Sequence, residues 1–251
     1  MPFDPYQDFA ARYDLFFADP EKSDPEHEKF FRELFAEHGV RRVLDCACGT
    51  GRDLVMLKVL GFDVCGSDIS DAMLAQAAKT LSARGLDVPL TKADFRGLER
   101  KFQPVFNAVL CLSTSLPHLH KEDDLVWALL SMMAVLKDGG LLVLSQGITD
   151  RQWRERPRFI PAVNTRDFSR VFVLDYLETT VRMHVLDLFH GEDPGARSFK
   201  AESFEYRVLL RDDYDRLLTR AGYRDRWYYG GFDRSPYDPQ TSERLVVVAR
   251  K

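Results

Sequence analysis

Between residues 41 and 146, short apolar runs alternate with longer stretches of helical periodicity, and nothing else in the chain constrains its fold as strongly. RRVLDCA reads as a buried strand, followed by a glycine turn and the helix RDLVMLKVL, which ends at Gly61. FDVCGSD is a second strand and DAMLAQAAKTLSARG a second helix. Ser70 or Asp71 is placed to cap that helix, Met73, Leu74, Ala77, Ala78 and Leu81 recur on one face, and Gly85 stops it. VPLTKAD is a weaker third strand and FNAVLCL a strong fourth, followed by the helix EDDLVWALLSMMAVL and a fifth strand, GGLLVLSQ. Strands that are continuously apolar and separated by helices belong in a parallel sheet covered on both faces. The expected fold class is therefore α/β, with a doubly wound, mostly parallel sheet.

After Gly147 the pattern changes. Residues 151–158 (RQWRERPR) read as an exposed Arg-rich loop, with a mobile lid for an anionic substrate as the alternative. RVFVLDYLE, TVRMHVLDLF and SFEYRVLL alternate with period two and read as an antiparallel meander, with EDPGARS as the turn between the last two. The helix DDYDRLLTRAG, the segment YRDRWYYGG and the strand RLVVVAR follow. The meander interrupts the α/β pattern after the fifth strand, so it reads as an insertion. We expect one domain over residues 1–251, with an N-terminal helical lid (1–40), a cofactor-binding core (41–150), a substrate-side insertion (151–210) and a final helix and strands (211–251).

Lys and Arg total 35 against 39 Asp and Glu, giving a formal net charge of −4 and no general attraction to nucleic acid or anionic membranes. A 45% hydrophobic content supports a sizeable core and excludes a disordered chain. No apolar run is long enough to span a bilayer, and MPFDPYQDFAARYD lacks a secretory signal pattern. Cys46, Cys48, Cys65 and Cys111 lack framework spacing, which points to a reducing, cytoplasmic compartment and to buried thiols. Neither Cys46-Ala47-Cys48 nor His118-Leu119-His120 has the partners a metal needs, so no metal is expected. Trp127, Met132 and Met133 read as core positions of a helix.

The chemistry concentrates at Asp45-Cys46-Ala47-Cys48-Gly49-Thr50-Gly51. A strand running into Gly49-x-Gly51 and a helix lets backbone amides approach a ligand closely. The third glycine of a dinucleotide fingerprint would fall at Leu54, which weakens a pyrophosphate reading. Asp68 ends the second strand 17 residues after Gly51, placed to accept from both hydroxyls of a ribose. Asp94 follows the third strand, where an acid can accept from an adenine amino group while Phe95 packs on the base. The implied ligand bears adenosine and need not carry a phosphate.

In these motifs the chain resembles the class I S-adenosylmethionine-dependent methyltransferases: DCACGTG matches their first motif, Asp68 the second and Asp94 the third. HGVRRVLDCACGTGRDLVMLKVLGFDV, NAVLCLSTSLPHL and YYGGFDRSPYDP further resemble glycine N-methyltransferases and the N,N-dimethyltransferases of amino sugars. The resemblance is strong over about residues 40–150 and extends more weakly over nearly the whole chain. It implies a Rossmann-like methyltransferase fold with S-adenosyl-L-methionine as cofactor. The implied cofactor-binding residues are Tyr13, Asp45, Ala47, Gly49, Gly51, Asp68, Ile69, Met73, Asp94, Phe95 and Leu112. Tyr6 and His118 are implied at the transferring methyl. Three positions depart from the glycine enzymes: Thr114 replaces an asparagine, Gly147 a carboxylate-clamping arginine, and Leu188 a tyrosine. Without that arginine the bidentate anchor for a free amino acid is gone. The resemblance then implies a small-molecule amine larger or less acidic than glycine. Methyl transfer to a thiol or hydroxyl, a nicotinamide oxidoreductase and a non-catalytic nucleoside-binding module stay open, as does self-association.

Tyr6, Phe9, Tyr13, Phe16 and Phe17 precede the first sheet strand and have no place within it. They form either a lid over the site or an amphipathic helix packed on the domain.

Overall fold

The structure, a computed structural model, describes residues 4, 6–16, 24–191 and 197–251; Phe17 and most of the EDPGARS turn lie outside these residues. Two helices, α1 (Ala10–Tyr13) and α2 (Pro25–Glu37), precede the sheet. The Asp24 side chain caps α2 by accepting from Glu26 N, and Phe30, Phe31, Leu34 and Phe35 form its buried face. Next come β1 (Arg42–Asp45), α3 (Arg52–Val59), β2 (Asp63–Asp68), α4 (Asp71–Ala83), β3 (Leu90–Lys92), β4 (Phe106–Cys111), α5 (Glu122–Val135) and β5 (Leu136–Gln146). α6 (Asp150–Glu155) leads into β6 (Phe159–Asn164), β7 (Phe168–Tyr176), β8 (Thr180–Phe189) and β9 (Ser198–Arg207), and the chain closes with α7 (Arg211–Ala221), β10 (Arg226–Tyr229) and β11 (Leu245–Arg250).

The main sheet has the order β10-β11-β5-β4-β1-β2-β3. Its pairs from β5 to β3 are parallel, while β11 runs antiparallel to both β5 and β10. This is the doubly wound, mostly parallel Rossmann-like sheet the sequence predicts. Val43, Leu44, Val109, Leu110, Leu142 and Val143 have no exposed surface, because helices cover both faces. The strand order reverses between β1 and β4, so a crevice opens at their C-terminal ends. A separate antiparallel sheet, β6-β7-β8-β9, is formed by the chain between β5 and α7.

Four local expectations are refined or corrected. Ser70, not Asp71, caps α4, its hydroxyl accepting from Met73 N at 3.1 Å. Residues 150–155 form a helix and not an open loop, because Thr149 accepts from Gln152 N and Arg151 and Arg154 bond the segment 239–243. The meander gains a strand, β6, whose Pro161 sits beside a bulge at the sheet edge, where a missing N–H is tolerated. Trp127 is 61% exposed on α5, whereas Met132 is buried as expected.

The four cysteines are free and buried. Among the described residues no helix is long and apolar enough to cross a membrane, and no cluster of His, Cys, Asp or Glu could hold a metal ion.

Candidate active site

The turn after β1 is built by backbone hydrogen bonds to both neighbouring strands. Cys46 N donates to Leu110 O and Cys48 N to Ser67 O, each at 2.9 Å. Gly49 and Gly51 have φ of +50° and +83°, a left-handed backbone that glycine adopts without cost. A Cβ on Gly51 would lie 3.2 Å from Ala77 Cβ, so glycine lets α3 start against α4. A Cβ on Gly49 would meet nothing within 4 Å, so the turn is open on that side. Leu54 occupies the third-glycine position for a packing reason: it presses on Gly66 of β2, where an added Cβ would lie only 2.5 Å from Leu54 Cδ1.

Asp68 anchors the crevice. Its Oδ2 accepts from Gly49 N and its Oδ1 from Ser70 N, both at 2.9 Å, which fixes the carboxylate at the end of β2. Burial pushes its pKa up, against the pull of these backbone donors. Asp45 is 2% exposed, accepts from Ala47 N, and is pushed well up by burial and by Asp53. Among the described residues no Lys or Arg forms an ion pair with Asp45 or Asp68. Ile69 is 57% exposed beside Asp68, an apolar surface for a ribose or base. Asp94 lies past β3, partly buried, with Arg96 Nε 3.1 Å from Oδ1 and 3.0 Å from Oδ2. That burial opposes its ionisation, but the Arg96 bonds prevail and hold the carboxyl below its usual range. Phe95 packs half-buried against the core, while Met73 and Leu112 are each 3% exposed.

The N-terminal segment converges on the same crevice. Asp4 accepts from Ser70 Oγ at 2.6 Å and from Tyr6 N at 2.9 Å, and Asp14 accepts from Thr50 Oγ1 at 2.7 Å. Tyr6 Oη lies 2.7 Å from His118 Nε2, uniting the two residues implied at the transferring methyl. Phe204 of β9 stacks on Tyr6 at 4.9 Å, and Tyr206 meets the His118 ring edge-on at 4.7 Å. Burial and the nearby His120 lower His118 to about 4, so its imidazole is neutral at pH 7. Burial and the neighbouring Tyr206 and Tyr13 raise the Tyr6 phenol, which stays protonated. Tyr13 is likewise raised to about 12, by burial and by Asp53.

Several residues here escape a sequence reading. Phe204 and Tyr206 share one face of β9 by the period-two rule, a signal present in SFEYRVLL. Leu188, by contrast, is 38% exposed, and the tyrosine that faces His118 is Tyr206. Arg170 carries no such signal. It is 1% exposed; its Nε donates to Asp187 at 2.6 Å, and its Nη atoms donate to the carbonyls of Arg12 and Tyr13 at 2.7 and 3.1 Å. Arg12 also pairs with Asp187, and with Glu202 at 2.8 Å. This buried network fastens α1 to the antiparallel sheet.

Sheet order, glycine turn and acid-lined crevice together define a doubly wound α/β protein with a crevice at the ends of β1 and β2. Residues 43–140 match a family model described as a methyltransferase domain. The chain is 30% identical to a glycine/sarcosine N-methyltransferase of Aphanothece halophytica, over 97% of this chain and 88% of that one. To the glycine/sarcosine N-methyltransferase of Parasynechococcus marenigrum it is 40% identical over 58% of this chain and 51% of that one. Among solved structures, the sugar N-methyltransferase KedS8 of Streptoalloteichus superposes with a TM-score of 0.70 and 25% identity, over 95% of this chain and 92% of that one. The chain belongs to the class I S-adenosylmethionine-dependent methyltransferases. It is an enzyme whose cofactor is S-adenosylmethionine, which excludes the oxidoreductase and non-catalytic readings.

Proposed function

We propose that the protein methylates a nitrogen of a small amine other than free glycine. The Tyr6–His118 pair, set in an aromatic wall at the cofactor crevice, carries this reading. The named relatives, which include glycine/sarcosine and sugar N-methyltransferases, support the choice of nitrogen. When bound, S-adenosylmethionine supplies a methyl group already activated by its sulfonium. Asp68 would hold the ribose hydroxyls, Asp94 and Phe95 would meet the adenine, and Ile69, Met73 and Leu112 would line its slot. Ala47, Gly49 and Gly51 would offer backbone, while Asp45 and Tyr13 would serve the methionine end.

The remaining task is to orient the acceptor. Holding reactants in line lowers a barrier by roughly 7–11 kcal/mol, so positioning is the main contribution. Neutral His118 accepts from the Tyr6 hydroxyl and fixes its rotation. The Tyr6 oxygen also hydrogen-bonds Tyr206, and its remaining lone pair would accept an acceptor N–H and aim the nitrogen's own pair at the methyl. Among the described residues, Arg170 and Arg12 are committed to Asp187, Glu202 and backbone carbonyls, and Arg207, next to Tyr206, donates to His120 O at 2.6 Å and pairs with Glu122 at 3.7 Å. Gly147 donates its N–H to Thr114 Oγ1 at 3.3 Å and adds no charge. A free carboxylate thus lacks the fork that would clamp it. We read the segment that carries Tyr6 and Tyr13, described at residues 4 and 6–16, as a lid on one domain acting in the cytoplasm on a diffusible metabolite, not on nucleic acid; α2, which lies within the expected 1–40 lid, packs instead in the core. The test is to offer the purified protein S-adenosylmethionine with a panel of small amines, amino sugars, thiols and phenols, and to measure S-adenosylhomocysteine. Turnover confined to amines is expected; turnover confined to thiols or phenols would overturn the reading.

A further inference from the structure

The loop that carries His118 leaves β4 through an unusual turn. Leu112 O accepts from Ser115 N at 3.2 Å and from Ser115 Oγ at 2.7 Å, closing a four-residue turn. Its two central residues both have left-handed backbone, with φ of +55° at Ser113 and +67° at Thr114. Such primed turns ordinarily take Asn-Gly or Gly-Gly, because L side chains resist positive φ and β-branched ones resist it most. A Ser-Thr pair does not select this geometry by itself. Ser145 on β5, 8% exposed, supplies what the local sequence lacks: its Oγ accepts from Ser113 N at 3.0 Å and its carbonyl from Thr114 N at 2.9 Å. The next residues form the short helical turn Leu116–His118, where His118 N donates to Ser115 O at 3.2 Å. The His118 ring is then met by Tyr6 from the N-terminal segment, by Phe204 and Tyr206 from β9, and by His120 of its own loop.

We propose that Ser145 is a positioning residue for methyl transfer: it holds the strained turn at Ser113 and Thr114, and through it presents His118 to Tyr6. The inference rests on reading Tyr6 and His118 as the acceptor-end pair. Strain of this kind persists only where surrounding structure over-determines it, and it concentrates at functional sites. Ser145 is that surrounding structure, one strand away from the loop it holds.

Ser145→Ala removes the hydroxyl acceptor and leaves the carbonyl. The variant should bind S-adenosylhomocysteine within about twofold of wild type, since the glycine turn and Asp68 are untouched and Leu112 stays buried at the end of β4, while kcat with the best amine of the panel falls about tenfold, the worth of one hydrogen bond. In heteronuclear NMR the His118 ring should titrate nearer the ordinary histidine range in this variant. Ser113→Gly added to Ser145→Ala should restore both readings, because glycine holds positive φ without help. Ser145→Thr, which keeps the hydroxyl, should behave as wild type. Wild-type kcat and an unmoved His118 titration in Ser145→Ala would overturn the proposal, as would failure of Ser113→Gly to rescue. Should Ser145→Ala not fold, the exposed substitution Ser113→Val opposes the same turn and must produce the same two changes; their absence is equally fatal. Full turnover in His118→Ala would instead remove the reading of the pair, with the NMR titration still reporting on the turn.

Discussion

Replacing Arg170 with Met tests how the N-terminal segment is held. The guanidinium makes four hydrogen bonds, two to Asp187 and one each to the carbonyls of Arg12 and Tyr13. It also lies over the Phe9 ring at 5.1 Å. Methionine keeps much of the volume and none of the donors. Removing one member of a buried ion pair costs about 3–5 kcal/mol. Arg12 still faces Asp187, so the low end applies to the fold as a whole. Docking of α1 loses two charge-assisted bonds, each worth about 1.5–3 kcal/mol. A loss of ~3 kcal/mol corresponds to roughly 100-fold faster opening. Hydrogen exchange read by mass spectrometry should therefore show residues 6–16 exchanging about two orders of magnitude faster by local opening, while the parallel sheet stays the most protected part of the chain. Turnover should fall at least about tenfold, because Tyr6 rides on this segment. Arg170→Lys keeps the charge but not the fork, and should fall between the two. Wild-type exchange over residues 6–16 in Arg170→Met would refute the clasp.

Four further outcomes follow from the site and core. Asp68→Ala should weaken S-adenosylmethionine binding in calorimetry by about 1.5–3 kcal/mol, and unchanged affinity in the folded variant would sink its ribose role. Wild type should use glycine poorly, whereas Gly147→Arg, placed where a Cβ meets nothing within 4 Å, should raise kcat/KM for glycine; efficient sarcosine formation by wild type would contradict this. Gly66→Ala should lower stability in urea by about 1–3 kcal/mol, because its Cβ collides with Leu54 and Leu90; a wild-type midpoint would show the core can give. His118 is depressed to about 4 from an ordinary 6.5, so between those values the unfolded chain binds the extra proton. Its contribution to stability is intact above pH ~6.5 and is lost by up to ~1.4 kcal/mol per pH unit on acidification, a slope that His118→Gln should flatten in denaturant titrations.

The parallel sheet was legible because β1, β4 and β5 contain apolar runs and α4 carries its own cap and a glycine stop. The turn at Gly49 and Gly51 was legible for a similar reason: closely spaced glycines between a strand and a helix have few other uses. Tertiary choices were less visible. Trp127 lies on a helix with an apolar face, yet only packing decides that Met132 goes in and Trp127 out. Pro161 hid β6, since proline argues against a strand unless the edge position is known. Arg170 and Asp187 are directly opposed across β7 and β8, but a sequence shows an Arg and an Asp in a half-exposed meander, not a buried pair. Tyr206 meets His118 only because β9 folds back beside the loop after β4. The strain at Ser113 and Thr114 is invisible for the opposite reason: local preference disfavours it, and Ser145 enforces it from another strand.

The central claim is that Tyr6 and His118 direct an activated methyl onto an amine nitrogen. It is tested most directly by supplying S-adenosylmethionine labelled with carbon-13 in its methyl group, together with an acceptor bearing amine, hydroxyl and thiol groups, and reading the product by NMR. The account predicts that the label appears on nitrogen, and that Tyr6→Phe and His118→Ala each slow its appearance at least about tenfold without loss of cofactor binding. Label on oxygen or sulfur, or transfer at the wild-type rate in both variants, would contradict it.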